Sequence, residues 1–278
     1  MDTSVDTIHL SSTPEHIRQY VEKCQLDDGG FFFARIPPSS LMDTYYAVKI
    51  LSALELEPSR PDKIKDYVLN TVKKFSYIGI NGLFAAAEVL HELKGNLNAL
   101  SGFLLRLNAL KNSMGGFGAV KNLDLEIVSE LETTYRVLVI LDRLDIEYDH
   151  SQILGFALKF KNDDGGFGHS RISTLASTFY ATEILNMTGY DKSELKLTPQ
   201  FLRGKENVWK LNYIEDIYWL IFSSLNMHEK VHMAEWMVSF VKGCQRASGG
   251  FARKDVMGIA TLQDTWYAVS ILKALNHW

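Results

Sequence analysis

The chain has 278 residues, 46% of them hydrophobic, with 29 Lys and Arg against 33 Asp and Glu for a net charge of −4. That is length and apolar content enough for one large buried core, while the slight acidity argues against a nucleic-acid partner. No apolar run nears the roughly 18 residues of a membrane span, and no signal peptide is evident, so the expected protein is not transmembrane and is cytoplasmic.

Residues 1–12 are polar and expected to be flexible. Thr13-Pro14-Glu15 then reads as an N-cap, a first-turn proline and a favourable acid. The helix that follows is amphipathic, with Ile17, Tyr20, Val21 and Cys24 at i, i+3, i+4 and i+7. It ends in Cys24-Gln25, and after it come Asp28-Gly29-Gly30-Phe31, a polar loop, and Asp43-Thr44-Tyr45-Tyr46 opening an apolar run.

The same order of events recurs down the chain. Met114-Gly115-Gly116-Phe117 precedes Thr133-Thr134-Tyr135, Asp164-Gly165-Gly166-Phe167 precedes Ser177-Thr178-Phe179-Tyr180, and Ser248-Gly249-Gly250-Phe251 precedes Asp264-Thr265-Trp266-Tyr267. The glycine pairs start at 29, 115, 165 and 249, so the gaps are 86, 50 and 84 residues. Two gaps close to twice the third predict two degenerate repeats. The stretches from Ile80 to Leu90 and from Glu215 to Ile221 fill them, giving six helical hairpins of about 45 residues.

In each hairpin the first helix is amphipathic and the second is apolar nearly all round, as in Val137-Leu138-Val139-Ile140-Leu141. The first is therefore expected to face water and the second to be buried on every side. An open stack of such hairpins needs polar terminal repeats, yet the last one, ending Trp266-Tyr267-Ala268-Val269-Ser270-Ile271-Leu272, is as apolar as the rest. The expected fold is therefore all-α: a closed α/α toroid of residues 13–278, with six inner helices inside an outer ring of six. Cys24 and Cys244 occupy the same repeat position and read as small buried residues, neither a disulfide nor a metal pair.

A helix ending in Cys-Gln, then Asp-Gly-Gly-Phe, a polar loop and Thr-Tyr-x-Ala-Val resembles the repeat of protein prenyltransferase β-subunits and, more distantly, that of class II terpene cyclases. The resemblance runs from about residue 14 to 275. It implies a toroid with a central cavity for an isoprenoid chain and chemistry at the cavity mouth, and it leaves room for a helical protein partner like the α-subunit of the transferases. It also implies a zinc site built from Asp-x-Cys and a histidine at inner-helix starts. Aligned on the Thr-aromatic pair, the cysteine position holds Met42, Glu132, Ala176 or Gln263, and the histidine position Asp43, Thr133, Ser177 or Asp264. None is a thiol or an imidazole, so a catalytic zinc is not expected. Magnesium accompanying a diphosphate is the one cofactor left open.

Class II cyclases place an acidic Asp-x-Asp-Asp-Thr motif at an inner-helix start. The nearest counterpart is Glu130-Leu131-Glu132-Thr133-Thr134, with Glu132 as candidate proton donor beside Glu130; Asp264 matches the last acid. The same two glutamates also suit a helix N-terminus as dipole-favoured first-turn acids. Asp43, Thr133, Ser177, Asp216 and Asp264 form a column expected to cap the inner helices. The loops after Gly-Gly-Phe carry Arg35, Lys121, His169, Arg171, Arg253 and Lys254, expected to converge as a seat for a diphosphate. A second column of aromatics, including Tyr46, Tyr135, Tyr180, Trp219, Trp266 and Tyr267, suits an isoprenoid tail or a carbocation, with one of each adjacent pair packing and the other lining the cavity. The leading functional expectation is an isoprenoid-diphosphate transferase without zinc, against a terpene cyclase and a non-catalytic lipid-binding or scaffold toroid.

Overall fold

The computed structural model describes residues 14–74, 78–118, 130–207 and 211–277. The expected flexible segment 1–12 and Lys121 lie outside them. Twelve α-helices alternate along the described chain. The outer set is α1 (Pro14–Lys23), α3 (Pro61–Lys74), α5 (Leu104–Ala109), α7 (His150–Leu158), α9 (Thr198–Lys205) and α11 (Ala234–Gly243). The inner set is α2 (Leu41–Ala53), α4 (Ile80–Glu92), α6 (Glu130–Arg143), α8 (Leu175–Met187), α10 (Ile214–Asn226) and α12 (Leu262–Ala274).

Inner helices pack in cyclic order, α2 on α4, α4 on α6, α6 on α8, α8 on α10, α10 on α12, and α12 returns to α2. The barrel is closed. Lys273 on α12 ties the seam by donating to the Ala53 carbonyl at the end of α2, 2.7 Å away. Each outer helix buries a single stripe, such as Ile64, Val68 and Val72 of α3 or Met237, Val238 and Val241 of α11, and shows its polar side to solvent.

Four hinges explain why the repeat has its letters. The first glycine of each pair has φ between 88° and 102°, a region that a side chain disfavours. The second lies beneath an aromatic of the next outer helix. An added Cβ would sit 2.6–2.7 Å from the ring of Tyr67 at Gly30, Phe156 at Gly116, Phe201 at Gly166 and Tyr20 at Gly250. Because Gly250 rests on Tyr20 of α1, the last hinge docks on the first helix and closes the outer ring as well. The hinge phenylalanine is buried, and its N–H donates to the threonine of the Thr-aromatic pair: Phe31 to Thr44, Phe117 to Thr134, Phe167 to Thr178 and Phe251 to Thr265, at 2.9–3.0 Å. That threonine is fully buried in all four repeats. Its place in the motif is structural, satisfying a backbone donor that would otherwise be orphaned.

Two expectations need correction. The column of Asp43, Ser177 and Asp264 does not cap the inner helices. Ser40, Thr174 and Thr261 do, accepting from the backbone N–H of the column residue three positions on. Nor are the inner helices buried on every side. On α2, α4 and α6 one face carries paired charges, Lys49 and Arg143 on Glu88 and Arg136 on Glu132. A lumen does not require the apolar surface that a packed core does.

Candidate functional site

Tyr45 and Tyr46 on α2, Phe84 on α4, Tyr135 on α6, Phe179 and Tyr180 on α8, Tyr218 on α10 and Tyr267 on α12 touch in sequence around the barrel. Ring centroids are 5.2 Å apart from Tyr45 to Phe84, 6.4 Å to Tyr135, 6.3 Å to Phe179, 5.5 Å to Tyr218, 4.6 Å to Tyr267 and 6.5 Å back to Tyr46. These steps are shorter than the 8–10 Å between packed helix axes, so the rings converge on the barrel axis. The result is an aromatic belt supplied by all six inner helices. Both members of the Tyr45–Tyr46 and Phe179–Tyr180 pairs belong to it, where one of each was expected to pack elsewhere. Burial pushes the hydroxyls of Tyr45, Tyr46, Tyr180 and Tyr218 well above the usual tyrosine range, and that of Tyr267 up to about 12.

Above the belt, at the inner-helix N-termini, a cavity of about 500 Å³ opens between α2, α10 and α12. Its wall combines Tyr46, Trp219 and Tyr267 with Asp43, Glu215, Asp264 and Arg253. Glu215 is buried. One of its oxygens takes the guanidinium of Arg253, and the other is buried with no partner. Arg253 and Lys254 both lie over the ring of Tyr213, at 4.0 and 4.4 Å. The Arg253 side chain nonetheless keeps 59% of its surface exposed, so its outer edge remains available to a ligand.

Burial raises the Asp264 carboxyl to about 6, with the Glu215 charge adding to the shift and the Thr261 hydroxyl opposing it. Asp216 is raised to about 6 by burial and by the adjacent Glu215 charge, against Arg253. Asp43 is raised by burial as well. A carboxyl raised to about 6 beside an aromatic wall, as Asp264 is, is competent to hold or release a proton.

The anticipated bases do not gather into one site. Arg253 stands at this cavity, whereas Lys254 lines a separate groove with Trp236 and Phe240. Arg35 is exposed in a neighbouring groove with Arg246 and Ile259, while His169 and Arg171 are exposed on the loop before α8, which stands opposite α2 in the ring. His169 meets Phe160 edge-on at 4.8 Å. Trp219 lines the cavity, whereas Trp266 sits where Lys49 reaches over its ring at 5.9 Å. Tyr135 and Tyr180 belong to the belt, 5.6 Å apart.

Glu132 lies on the lumen face of α6, where its Oε1 accepts from the Arg136 guanidinium and, at 2.9 Å, from the Tyr180 hydroxyl. That oxygen is therefore already engaged by two donors. Glu130 keeps a buried oxygen without a partner. Reading the sequence alone passed over Arg136, Glu215 and Ser40. Arg136 was visible as a charge interrupting an apolar run, and Ser40 as the start of a Ser-x-x-Asp capping pattern. Nothing in the sequence set Glu215 apart from other first-turn acids.

The zinc implied by the resemblance does not fit this mouth. The cavity offers carboxylates but no thiol or imidazole, one of those carboxylates is held by Arg253, and Cys24 and Cys244 are buried at the ends of α1 and α11. Among the described residues no three His, Cys, Asp or Glu side chains converge to hold a metal ion. Nor is any described helix long and apolar enough to cross a membrane.

The fold has a solved counterpart in Candida albicans protein geranylgeranyltransferase-I complexed with GGPP. The two share 18% identity at a TM-score of 0.72, over 95% of this chain and 91% of the other. No curated protein sequence matches the chain. The family model of the prenyltransferase alpha-alpha toroid domain matches residues 3–89, 125–204 and 202–278, nearly the whole length, and the chain belongs to that family.

Proposed function

We propose that the protein binds an isoprenoid diphosphate at the mouth cavity and acts on it as a prenyltransferase-like enzyme without a zinc-activated thiolate. The observation that carries this reading is the joining of two chemistries in one cavity. Tyr46, Trp219 and Tyr267 supply an aromatic wall, and Arg253 supplies positive charge at its rim, with Lys254 next to it in sequence and over the same Tyr213 ring. The solved counterpart of this fold is itself a complex with GGPP, which fits the same ligand class.

In this arrangement Arg253 and Lys254 hold the diphosphate and neutralise the charge it gains as a leaving group. The ring faces of Tyr46 and Tyr267 stabilise the allylic cation left behind. Glu215 and Asp264 repel a bare diphosphate, so binding is expected to strengthen when magnesium rides on the diphosphate oxygens and offsets their charge. Isothermal titration with geranyl diphosphate, with and without magnesium, tests this. Arg253→Ala is expected to weaken binding about tenfold to a hundredfold, in line with the loss of a charge-assisted contact. Unchanged affinity in that variant would falsify the assignment.

One observation favours a second reading, that of a cyclase initiated by a carboxylic acid. Asp264 lines the mouth cavity beside Tyr46 and Tyr267, and its surroundings hold its carboxyl at about 6. Protonation of an alkene by Asp264 would leave the diphosphate intact and fade as pH rises above 6. A product that retains its diphosphate, lost in Asp264→Asn, distinguishes cyclisation from transfer, which releases it.

A further inference from the structure

The aromatic belt is thin. On α2 the step from Tyr45 to Lys49 is four residues, on α4 that from Phe84 to Glu88 is four, and on α8 that from Tyr180 to Glu183 is three, about 4.5–6 Å along each helix axis. Directly below the belt the lumen is charged. Glu88 takes the guanidinium of Arg143 at 2.6 Å and lies 3.8 Å from the ammonium of Lys49, which also reaches Glu92 at 3.3 Å. On the other side of the ring Glu183 accepts from Asn226 at 2.7 Å. Tyr45 and Tyr135 feel the Glu88 charge, and Tyr135 and Tyr218 that of Glu183, which places both carboxyls against the underside of the belt. Above the belt stand Glu132, Glu215 and Asp264.

We infer that the apolar band of this lumen is about one helical turn deep and selects an isoprenoid diphosphate of one or two isoprene units over longer chains. The inference rests on the ligand class proposed above and adds its size. A tail that fills the mouth cavity and the belt has used all the apolar wall available. Further isoprene units must lie against Lys49, Glu88 and Glu183 or stay in water, and in either place they gain no hydrophobic stabilisation.

A series of dimethylallyl, geranyl, farnesyl and geranylgeranyl diphosphates, titrated calorimetrically against the full chain, decides the matter. A sheathed isoprene unit strengthens binding by more than about tenfold. The expected result is such a gain from dimethylallyl to geranyl and less than about threefold thereafter. A gain of tenfold or more at each step through geranylgeranyl overturns the inference while leaving the ligand class intact; no binding by any member overturns both. Glu183→Leu, which extends the apolar wall downward, is expected to move the break from geranyl to farnesyl, and Glu183→Gln, which keeps the bond to Asn226, to leave it in place. An unmoved break in the leucine variant also counts against the charged floor as its cause.

Discussion

Asp264 is half of a local conflict, a carboxyl kept out of water beside another negative charge. In the unfolded chain an aspartate ionises near 3.9, whereas here Asp264 and Asp216 do so at about 6. Between those values the folded state binds more protons than the unfolded one, so these groups add stability at low pH that is lost as pH climbs from about 4 to 6. Asp264→Asn is expected to raise unfolding free energy by about 1–2 kcal/mol at pH 7 and leave it unchanged at pH 4, as read by urea denaturation at both pH values. An equal effect at the two pH values would show that the ionised form carries no penalty. Thr178 poses the opposite case. It accepts from the Phe167 N–H and donates to the Thr174 carbonyl at 2.7 Å, so Thr178→Val, with its shape preserved, is expected to cost about 1–3 kcal/mol in the same assay.

At the scale of the element, the glycine pair is a joint between two hairpins as well as a turn within one. Its first turn is the same each time: Leu26, Asn112, Asn162 and Arg246 each donate to the carbonyl of the second glycine at 2.9 Å. Gly166→Ala would drive a methyl group to 2.6 Å from the Ser173 Cβ and 2.7 Å from the Phe201 ring, and a cost of about 1–3 kcal/mol is expected. Gly204 in α9 has open space about it, so Gly204→Ala is expected to be neutral or to stabilise by up to about 1 kcal/mol. Thermal unfolding of the pair checks both, and equal shifts would mean that ring contact has no part in the hinge. The sequence made these joints legible because their spacing is covalent. It did not show that each one is covered by Tyr20, Tyr67, Phe156 or Phe201, since each covering ring belongs to another hairpin.

The whole molecule is a ring, so its ends support each other. Tyr20 of α1 covers Gly250, and Lys273 of α12 reaches Ala53. Tyr20→Ala is expected to cost about 3–5 kcal/mol, as for other buried aromatics. Hydrogen exchange should then show lost protection both in α1 and in the hinge from 246 to 261. Fraying of α1 alone would describe an open stack whose first helix had come loose. The lumen is likewise a property of the ring. Lys49, Glu88 and Arg143 are spread over 95 positions of the sequence, and the packing of α2, α4 and α6 brings them into one charged cluster.

What the sequence by itself determined is whatever follows from local periodicity: the number of hairpins, which helix of each is amphipathic, where the hinges fall, and closure in place of an open stack. What only the tertiary structure decided is which side chains share a space. The bases after Gly-Gly-Phe look equivalent in sequence, yet Arg253 and Lys254 meet Tyr213 while His169 and Arg171 are exposed on the loop before α8, two inner helices round the ring from α12. Glu132 and Asp264 look like the same kind of first-turn acid. One is held by Arg136 and Tyr180, whereas the other is buried beside Glu215. The physical reason is that repeat position fixes height along the barrel, but the charge and burial of a site come from neighbouring helices that the chain reaches only by going round the ring.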